Sequence, residues 1–210
     1  MGIYIPQGIL IDIVRRIGKE GFRELGPFIS GGPEWRNAAL VPEVLQEVDL
    51  DEFIFVSSLA NEGSIYRPFL MRCFEVGNVS AMYVEGIRRA VKNGHSNENL
   101  QLMRRGEEAI PCAGFVFGIF AICGGKSEEG MASIALLSSR VGWLEEMVDI
   151  ADRVMAQIAD IEPLMTGKYD ATYAFPRRDI PNCTRFACTE DDVCFDCIPY
   201  WYSRRVRNLC

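Results

Sequence analysis

The amino-acid sequence predicts an all-α protein with short N-terminal helices, a helical-repeat domain and a short cysteine-rich tail. Apolar residues recur at spacings of three and four over most of the chain, which is the period of an amphipathic helix. Segments with this period end at glycine, as at Gly18, Gly94 and Gly124, and glycine commonly follows a helix because it adopts left-handed backbone angles easily. The tail is set apart because five of the eight cysteines follow residue 180.

Residues 1–50 are predicted to form several short helices. The apolar spacing from Ile5 to Ile17 gives one helical face. A break follows at residues 30–33, where two glycines precede a proline, and new helical pieces begin at Glu34 and Pro42. The N-terminal segment is therefore expected to be a small group of helices.

Residues 51–68 are predicted to be a linker, because the turn-forming residues 61–64 separate two apolar runs. Residues 69–165 are predicted to form a helical domain with a weak internal repeat. Its pattern, Ala-x-aromatic-Val-x-Gly, begins at Ala81 and again at Ala113. Small residues at fixed positions allow paired helices to approach closely, as in stacked helical repeats. An ordinary helical bundle with glycines at the helix ends explains the same spacing, and the pattern alone leaves both open.

The predicted tail, residues 166–210, carries cysteines with a spacing typical of a zinc site. Two cysteines separated by two residues can turn back onto one ion, and a second pair completes a tetrahedron of thiolates. The four candidate ligands are Cys183, Cys188, Cys194 and Cys197. Cys210 is an alternative to Cys183, since spacing does not fix which sulfur converges. Four thiolates leave no open position for water, so the site would be structural. The alternatives are a reactive thiol pair and four unrelated thiols.

Composition and charge argue against several classes of function. The formal net charge of −7 opposes attraction to phosphate backbones, so no nucleic-acid partner is expected. No apolar run is long enough to cross a membrane, and no secretory signal is evident at the start. Eight cysteines then fit a reducing compartment, where thiols stay free or bind metal. We expect cytoplasm or nucleus, and no membrane partner.

The sequence gives no sign of catalysis. His95 is the only histidine, so any triad that uses a histidine base would have to use this one. Adjacent carboxylates such as Glu145 and Glu146 suit solvated helix starts. No glycine-rich phosphate-binding motif is present. Arg204, Arg205 and Arg207 form a small basic cluster beside aromatic residues. This mixture could bind RNA by stacking, although a solvated tail is the simpler interpretation. A non-enzymatic protein is expected.

Two groups of motifs carry a resemblance to a known family. Near the N-terminus, Ile-Pro is followed by paired aliphatic residues and by a downstream Trp-Arg, and this order resembles an F-box. The residues that carry this part are Ile5, Pro6, Ile9, Leu10, Ile13, Val14, Ile17, Gly18, Glu34, Trp35, Arg36 and Pro42.

The remainder of the chain resembles plant F-box proteins with a TPR-like or Sel1-like helical domain and a cysteine-rich tail. The residues that carry this part are Cys73, Phe74, Glu75, Gly77, Asn78, Ala81, Met82, Tyr83, Gly86, Ala113 to Gly118, Gly124, Gly125, Cys194, Cys197 and Cys210.

The resemblance implies a substrate receptor. In that family the F-box binds the Skp-type adaptor of an SCF ubiquitin ligase, and the helical domain recruits a target protein. It implies adaptor contacts here by Ile5, Pro6, Ile9, Leu10, Ile13, Val14 and Trp35. Of these, Pro6, Ile9, Leu10, Ile13 and Val14 are expected to be partly exposed until the adaptor covers them. The alternative is a non-catalytic module that sequesters or shields a partner without ligase coupling.

Overall fold

The computed structural model describes residues 5–176 and 179–210. Residues 1–4 of the predicted N-terminal segment and residues 177–178 of the predicted tail lie outside this part. The chain forms two compact units, Met1–Met82 and Tyr83–Cys210. All secondary structure in the described residues is helical, as the sequence predicts. No helix in this part of the chain is both long and apolar enough to cross a membrane.

Unit 1 consists of short helices joined by tight turns and two 3-10 segments, at Phe22–Leu25 and Ser57–Ala60. Its α-helices are α1 (Gln7–Gly18), α2 (Gly26–Ser30), α3 (Pro33–Ala39), α4 (Pro42–Glu47), α5 (Asp51–Phe55) and α6 (Arg67–Glu75). Proline stands in the first turn of α2, α3, α4 and α6, where its missing N–H is not needed by the helix.

At the end of α4, the side chain of Asn78 binds backbone carbonyl groups that are buried in unit 1. The amide of Asn78 donates to the carbonyls of Leu45, Gln46 and Val48 at 3.1, 3.1 and 2.9 Å. These carbonyls lie at a helix end, where backbone partners are lacking. Since Asn78 is only 3% exposed, its amide satisfies buried acceptors that water cannot reach.

The predicted linker over residues 51–68 is part of unit 1, and the structure divides the chain at residue 82 instead. Phe53 of α5 is fully buried and packs against Phe22 with ring centroids 4.7 Å apart, and Phe69, which follows the turn, also packs against Phe22 with ring centroids 5.9 Å apart. The turn at residues 61–64 therefore connects elements that share one core. Turn chemistry marks where the chain reverses, but it does not show whether a domain ends there.

Unit 2 contains the longer helices. The boundary between the units falls within α7 (Val79–Asn93), and the others are α8 (Asn97–Arg104), α9 (Ala113–Cys123), α10 (Ser127–Val141), α11 (Leu144–Asp160), α12 (Cys183–Phe186) and α13 (Ile198–Leu209). Every residue from Phe115 to Cys123 is buried, because α9 packs against α8, α10, α11 and α13. A helix that is apolar on all sides is suited to this central place.

The glycines that end the two repeat motifs lie at close helix approaches. A Cβ at Gly86 of α7 would lie 3.1 Å from side-chain atoms of both Leu102 and Met103 in α8. A Cβ at Gly118 of α9 would lie 2.8 Å from the carbonyl oxygen of Gly130 in α10. Each motif therefore marks the first helix of a closely packed pair. This agrees with the expected pairing of helices, while the TPR-like or Sel1-like assignment stays a prediction.

The predicted tail is also part of a larger unit. Helix α13 packs against α9 and α11, and Tyr202 lies edge-on to Phe115 with ring centroids 5.7 Å apart. The hydroxyl of Tyr169 donates to the carbonyl of Ala90 at 2.8 Å. Tyr169 and Tyr202 are almost completely buried, so the tail completes the core of unit 2.

Candidate functional site

The structure brings the four predicted cysteine ligands together. The sulfur atoms of Cys183, Cys188, Cys194 and Cys197 all lie within 4.8 Å of one another. The Sγ atoms of Cys183 and Cys194 are 3.5 Å apart, and those of Cys194 and Cys197 are 3.7 Å apart. A tetrahedron with Zn–S bonds of about 2.3 Å has S–S edges of about 3.8 Å. The cysteine group therefore has the size of a four-thiolate metal site.

Local backbone structure positions these sulfurs. Cys194 and Cys197 lie on a tight turn in which the Cys197 N–H donates to the Cys194 carbonyl at 3.1 Å, and the Cys194 N–H donates to the Cys197 sulfur at 3.2 Å. Helix α12 carries Cys183, whose carbonyl accepts from the Cys188 N–H at 2.8 Å. The backbone N–H of Cys194 directed at the Cys197 sulfur favours the thiolate there, which is the form that binds metal.

Three cysteines of the group have shifted pKa values, and the directions of the shifts differ. Burial, together with hydrogen bonding to Cys194, raises the pKa of Cys183 to about 11. Burial also raises the pKa of Cys197. For Cys194, burial is outweighed by hydrogen bonds from the backbone of Cys197 and from the neighbouring thiols, so its pKa lies below the ordinary value. A divalent cation would supply the positive charge that four adjacent thiolates need, and binding it would release their protons.

Cys210, the alternative ligand, is not in this group. It lies at the far end of α13, where its carbonyl accepts from the N–H groups of Thr166 and Lys168 at 3.2 and 3.3 Å. Its side chain is fully buried, and burial raises its pKa to about 11. In the described residues, the four-cysteine group is the only cluster of three or more cysteine, histidine or acidic side chains arranged to hold a metal ion.

The predicted adaptor-contact residues divide between surface and core. Ile9 and Ile13 of α1 are 55% and 39% exposed, and Ile5, just before the helix, is 37% exposed. Pro6 is exposed as well. Ile9 and Ile13 are four residues apart and so lie on one face of α1, and Ile5 and Pro6 directly precede the helix. We call these four exposed residues the α1 strip.

Leu10 and Val14 lie on a different face of α1, about 100° around the helix from Ile9 and Ile13, and are 6% and 0% exposed, which differs from the expectation that they are partly exposed. They pack in the unit 1 core because α1 has two apolar faces and only one can face inward. Trp35 is half-buried and packs on Phe28, with ring centroids 5.4 Å apart. Leu10 and Val14 therefore belong to the core of unit 1, and Trp35 lies at its edge.

His95 is half-buried, and its imidazole ring packs against Gly124 at the end of α9. A Cβ at Gly124 would overlap the imidazole ring of His95, so the histidine fills the space that the glycine leaves. Burial, with a smaller effect of the positive Lys126, lowers the pKa of His95. In the sequence, the only sign of this contact between His95 and Gly124 is the pair of glycines, Gly124 and Gly125, that follows α9.

The arginines near the C-terminus are engaged in unit 2. Arg207 donates to Asp170 at 2.8 Å. Arg205 donates to the Asp191 carboxylate at 3.2 Å and to the Glu190 carbonyl at 2.6 Å. Because Arg205 and Arg207 are hydrogen-bonded to acidic side chains and a carbonyl of the protein itself, their positions give no support to a phosphate-binding role.

Comparison of the chain with protein-family models, curated proteins and solved structures gives no match. The family resemblance therefore depends on the sequence motifs.

Proposed function

We propose that this protein is an F-box-type substrate receptor that links a target protein to an SCF ubiquitin ligase through a Skp-type adaptor. The observation that carries the proposal is the α1 strip, an exposed apolar surface on the segment that resembles an F-box. The flanks of α1 are charged, with Asp12 paired to Arg15 and Arg16 at 2.8 and 3.0 Å. A helix with one apolar face in the core and a second apolar strip outside is suited to bind a hydrophobic groove.

The α1 strip is large enough to contribute to a complex. Complete burial of an isoleucine side chain contributes about 1.5–3 kcal/mol. Since Ile5, Ile9 and Ile13 are 37%, 55% and 39% exposed, covering them contributes about 3 kcal/mol in total on the same scale. In this proposal the receptor adds no chemical step. It holds the target beside a ubiquitin-charged enzyme in the cytoplasm or nucleus, and the raised local concentration promotes transfer.

Co-purification with a Skp-type adaptor tests the proposal. The test variant is Ile9→Asp with Ile13→Asp, because both side chains are exposed and unit 1 keeps its core. The matched control is Ile65→Asp, an isoleucine of unit 1 that is 83% exposed and lies outside the strip. We expect the test variant to lose adaptor binding by about 30-fold or more, as for a binding hot spot, and the control to bind normally. If the parent chain does not bind the adaptor, the receptor role is wrong and a partner-binding module without ligase coupling takes its place.

We also propose that the four-cysteine group holds a structural zinc ion. The support is the donor set: four sulfurs at tetrahedral spacing, one of which accepts a backbone N–H bond, with no position left for water or substrate. Zinc bound here would join α12 to the start of α13. Metal analysis of protein purified under reducing conditions should give about one zinc per chain, and protein without metal would contradict this assignment.

A further inference from the structure

A groove of about 420 Å³ lies beside the cysteine group on unit 2. One wall is the first half of α11, and the other is the loop of residues 190–193, between Cys188 and Cys194. The apolar lining is provided by Leu144, Val148, Val193 and Tyr202. Leu144, Val148 and Val193 are only partly buried, so the groove offers accessible apolar surface to a partner.

Carboxylates line both walls of the groove. Glu145, Asp149 and Asp152 lie on α11, and Glu190, Asp191 and Asp192 lie on the loop. Arg205 is the only cation among the described residues that line the groove, which gives six carboxylates against one guanidinium. In the described residues, only Asp152 and Asp191 of the six form ion pairs. Glu145, Asp149, Glu190 and Asp192 are exposed, so the negative charge is available to a partner.

Arg205 shows how the groove accommodates a guanidinium group. Its nitrogen atoms lie 3.8 Å from the Asp152 carboxylate on one wall and 3.2 Å from the Asp191 carboxylate on the other. The same group stacks over the Tyr202 ring, 5.0 Å from its centroid. Carboxylates on two sides and an aromatic face are a favourable setting for arginine. Among the described residues, this one arginine leaves four of the six lining carboxylates without an ion pair.

We propose that this groove binds a peptide segment of a partner protein in which lysine or arginine alternates with aliphatic residues. Charge complementarity selects the cations, because the four exposed carboxylates stand on two facing walls. The apolar lining selects the aliphatic side chains between them. The use of this segment as the recruited part of a ubiquitination target rests on the receptor function proposed above, whereas the binding itself does not.

The cysteine group is expected to support one wall of the groove. Thr189 and Asp192 close the loop, since the Thr189 N–H donates to the Asp192 carbonyl at 3.1 Å and the Asp192 N–H donates to the Thr189 hydroxyl at 3.1 Å. Cys188 and Cys194 flank this loop on its two sides. Fixing both cysteines holds the loop carboxylates opposite α11, and preorganisation of this kind strengthens binding.

Fluorescence anisotropy of the full chain tests the proposal. The probe is a short fluorescein-labelled peptide that alternates arginine and leucine, with a second peptide in which neutral citrulline replaces each arginine. The groove variant is Asp149→Asn with Asp192→Asn, one change on each wall at side chains that form no ion pair in the described residues. The charge-matched control is Glu43→Gln with Glu128→Gln, two exposed carboxylates outside the groove.

We expect the groove variant to weaken binding of the arginine peptide about tenfold, since two facing charges are lost. The control should change binding by less than about twofold, since distant exposed charges are screened by salt. The citrulline peptide should bind weakly to all three proteins. Equal weakening in both variants would show nonspecific attraction to an acidic protein and overturn the proposal, as would unchanged binding in the groove variant.

Adaptor capture, measured on the same samples, separates this inference from the receptor function. The groove variant should bind the adaptor as the parent does, because its changes lie on unit 2. Groove-dependent peptide binding without adaptor binding would support the groove and contradict the receptor role. Adaptor binding without groove-dependent peptide binding would support the receptor role and contradict the groove.

Discussion

At the scale of single residues, the contact between Gly118 and Gly130 determines how closely α9 and α10 approach. A Cβ at Gly130 would overlap the carbonyl oxygen of Gly118 and would lie 2.8 Å from Cγ1 of Ile122. Because a backbone atom cannot move aside easily, Gly130→Ala should destabilise the protein by about 1–3 kcal/mol, the usual cost of overpacking. Urea unfolding followed by circular dichroism measures this change.

Gly114 of α9 is the matched control for that substitution. Its nearest neighbour for an added Cβ is the Ser133 hydroxyl oxygen at 3.7 Å, an ordinary contact distance. Gly114→Ala should therefore be neutral or stabilising by up to about 1 kcal/mol, because alanine favours the helix over glycine. Equal destabilisation by both substitutions would show that the close approach at Gly130 is not the cause.

His95 gives unit 2 a predictable response to pH. Burial lowers its folded-state pKa below the ordinary value of 6.5, so the unfolded chain binds the proton more readily. The stability from the neutral imidazole is fully present above the unfolded pKa and is lost as the pH falls through the folded pKa. Between about pH 7.5 and about pH 5.5, the parent should lose more unfolding free energy than His95→Gln. Parallel pH profiles for the two proteins would contradict the burial of this histidine.

At the scale of elements, α1 presents two apolar faces with different roles. Leu10 is 6% exposed and Ile9 is 55% exposed, although the two residues are adjacent in the sequence. Leu10→Ala should cost about 2–5 kcal/mol because it leaves a cavity in unit 1. Ile9→Ala should cost less than about 0.5 kcal/mol, as for other surface substitutions. Chemical unfolding of the two variants tests this difference, and similar costs would show that the strip is not exposed.

The same helix shows what sequence reasoning could and could not provide. Helical spacing predicted helices that end at Gly18, Gly94 and Gly124, which correspond to α1, α7 and α9, because a period of 3.6 residues is a local property. The choice of which apolar face of α1 turns inward depends on the other helices of unit 1, which the local spacing does not contain. This is why Leu10 and Val14 were expected at the same surface as Ile9 and Ile13.

Long-range contacts explain the other differences from the sequence predictions. The linker over residues 51–68 could not be recognised as core because Phe53 meets Phe22 only in the folded chain. The four cysteines could be identified because their spacing reflects the local geometry of one ion. The groove could not, because its facing carboxylates, Asp149 and Asp192, lie far apart in the sequence and have no shared motif.

At the scale of the whole molecule, the two units should respond differently to loss of metal. The four cysteines all belong to unit 2, where α13 packs against α9 and α11. If the group holds zinc, its binding free energy also contributes to folding. Chelation removes this contribution, and the four cysteines take up protons and are no longer linked through the ion. Amide hydrogen exchange should then increase in residues 183–209, which include the loop of the groove, while residues 7–75 keep their protection.

The variant Cys194→Ser should reproduce this pattern. Cys112→Ser is the control, because Cys112 lies outside the group and its contact with the Tyr83 hydroxyl at 3.1 Å can be made by serine. An increase in exchange throughout the chain, or none in residues 183–209, would contradict a structural metal confined to unit 2.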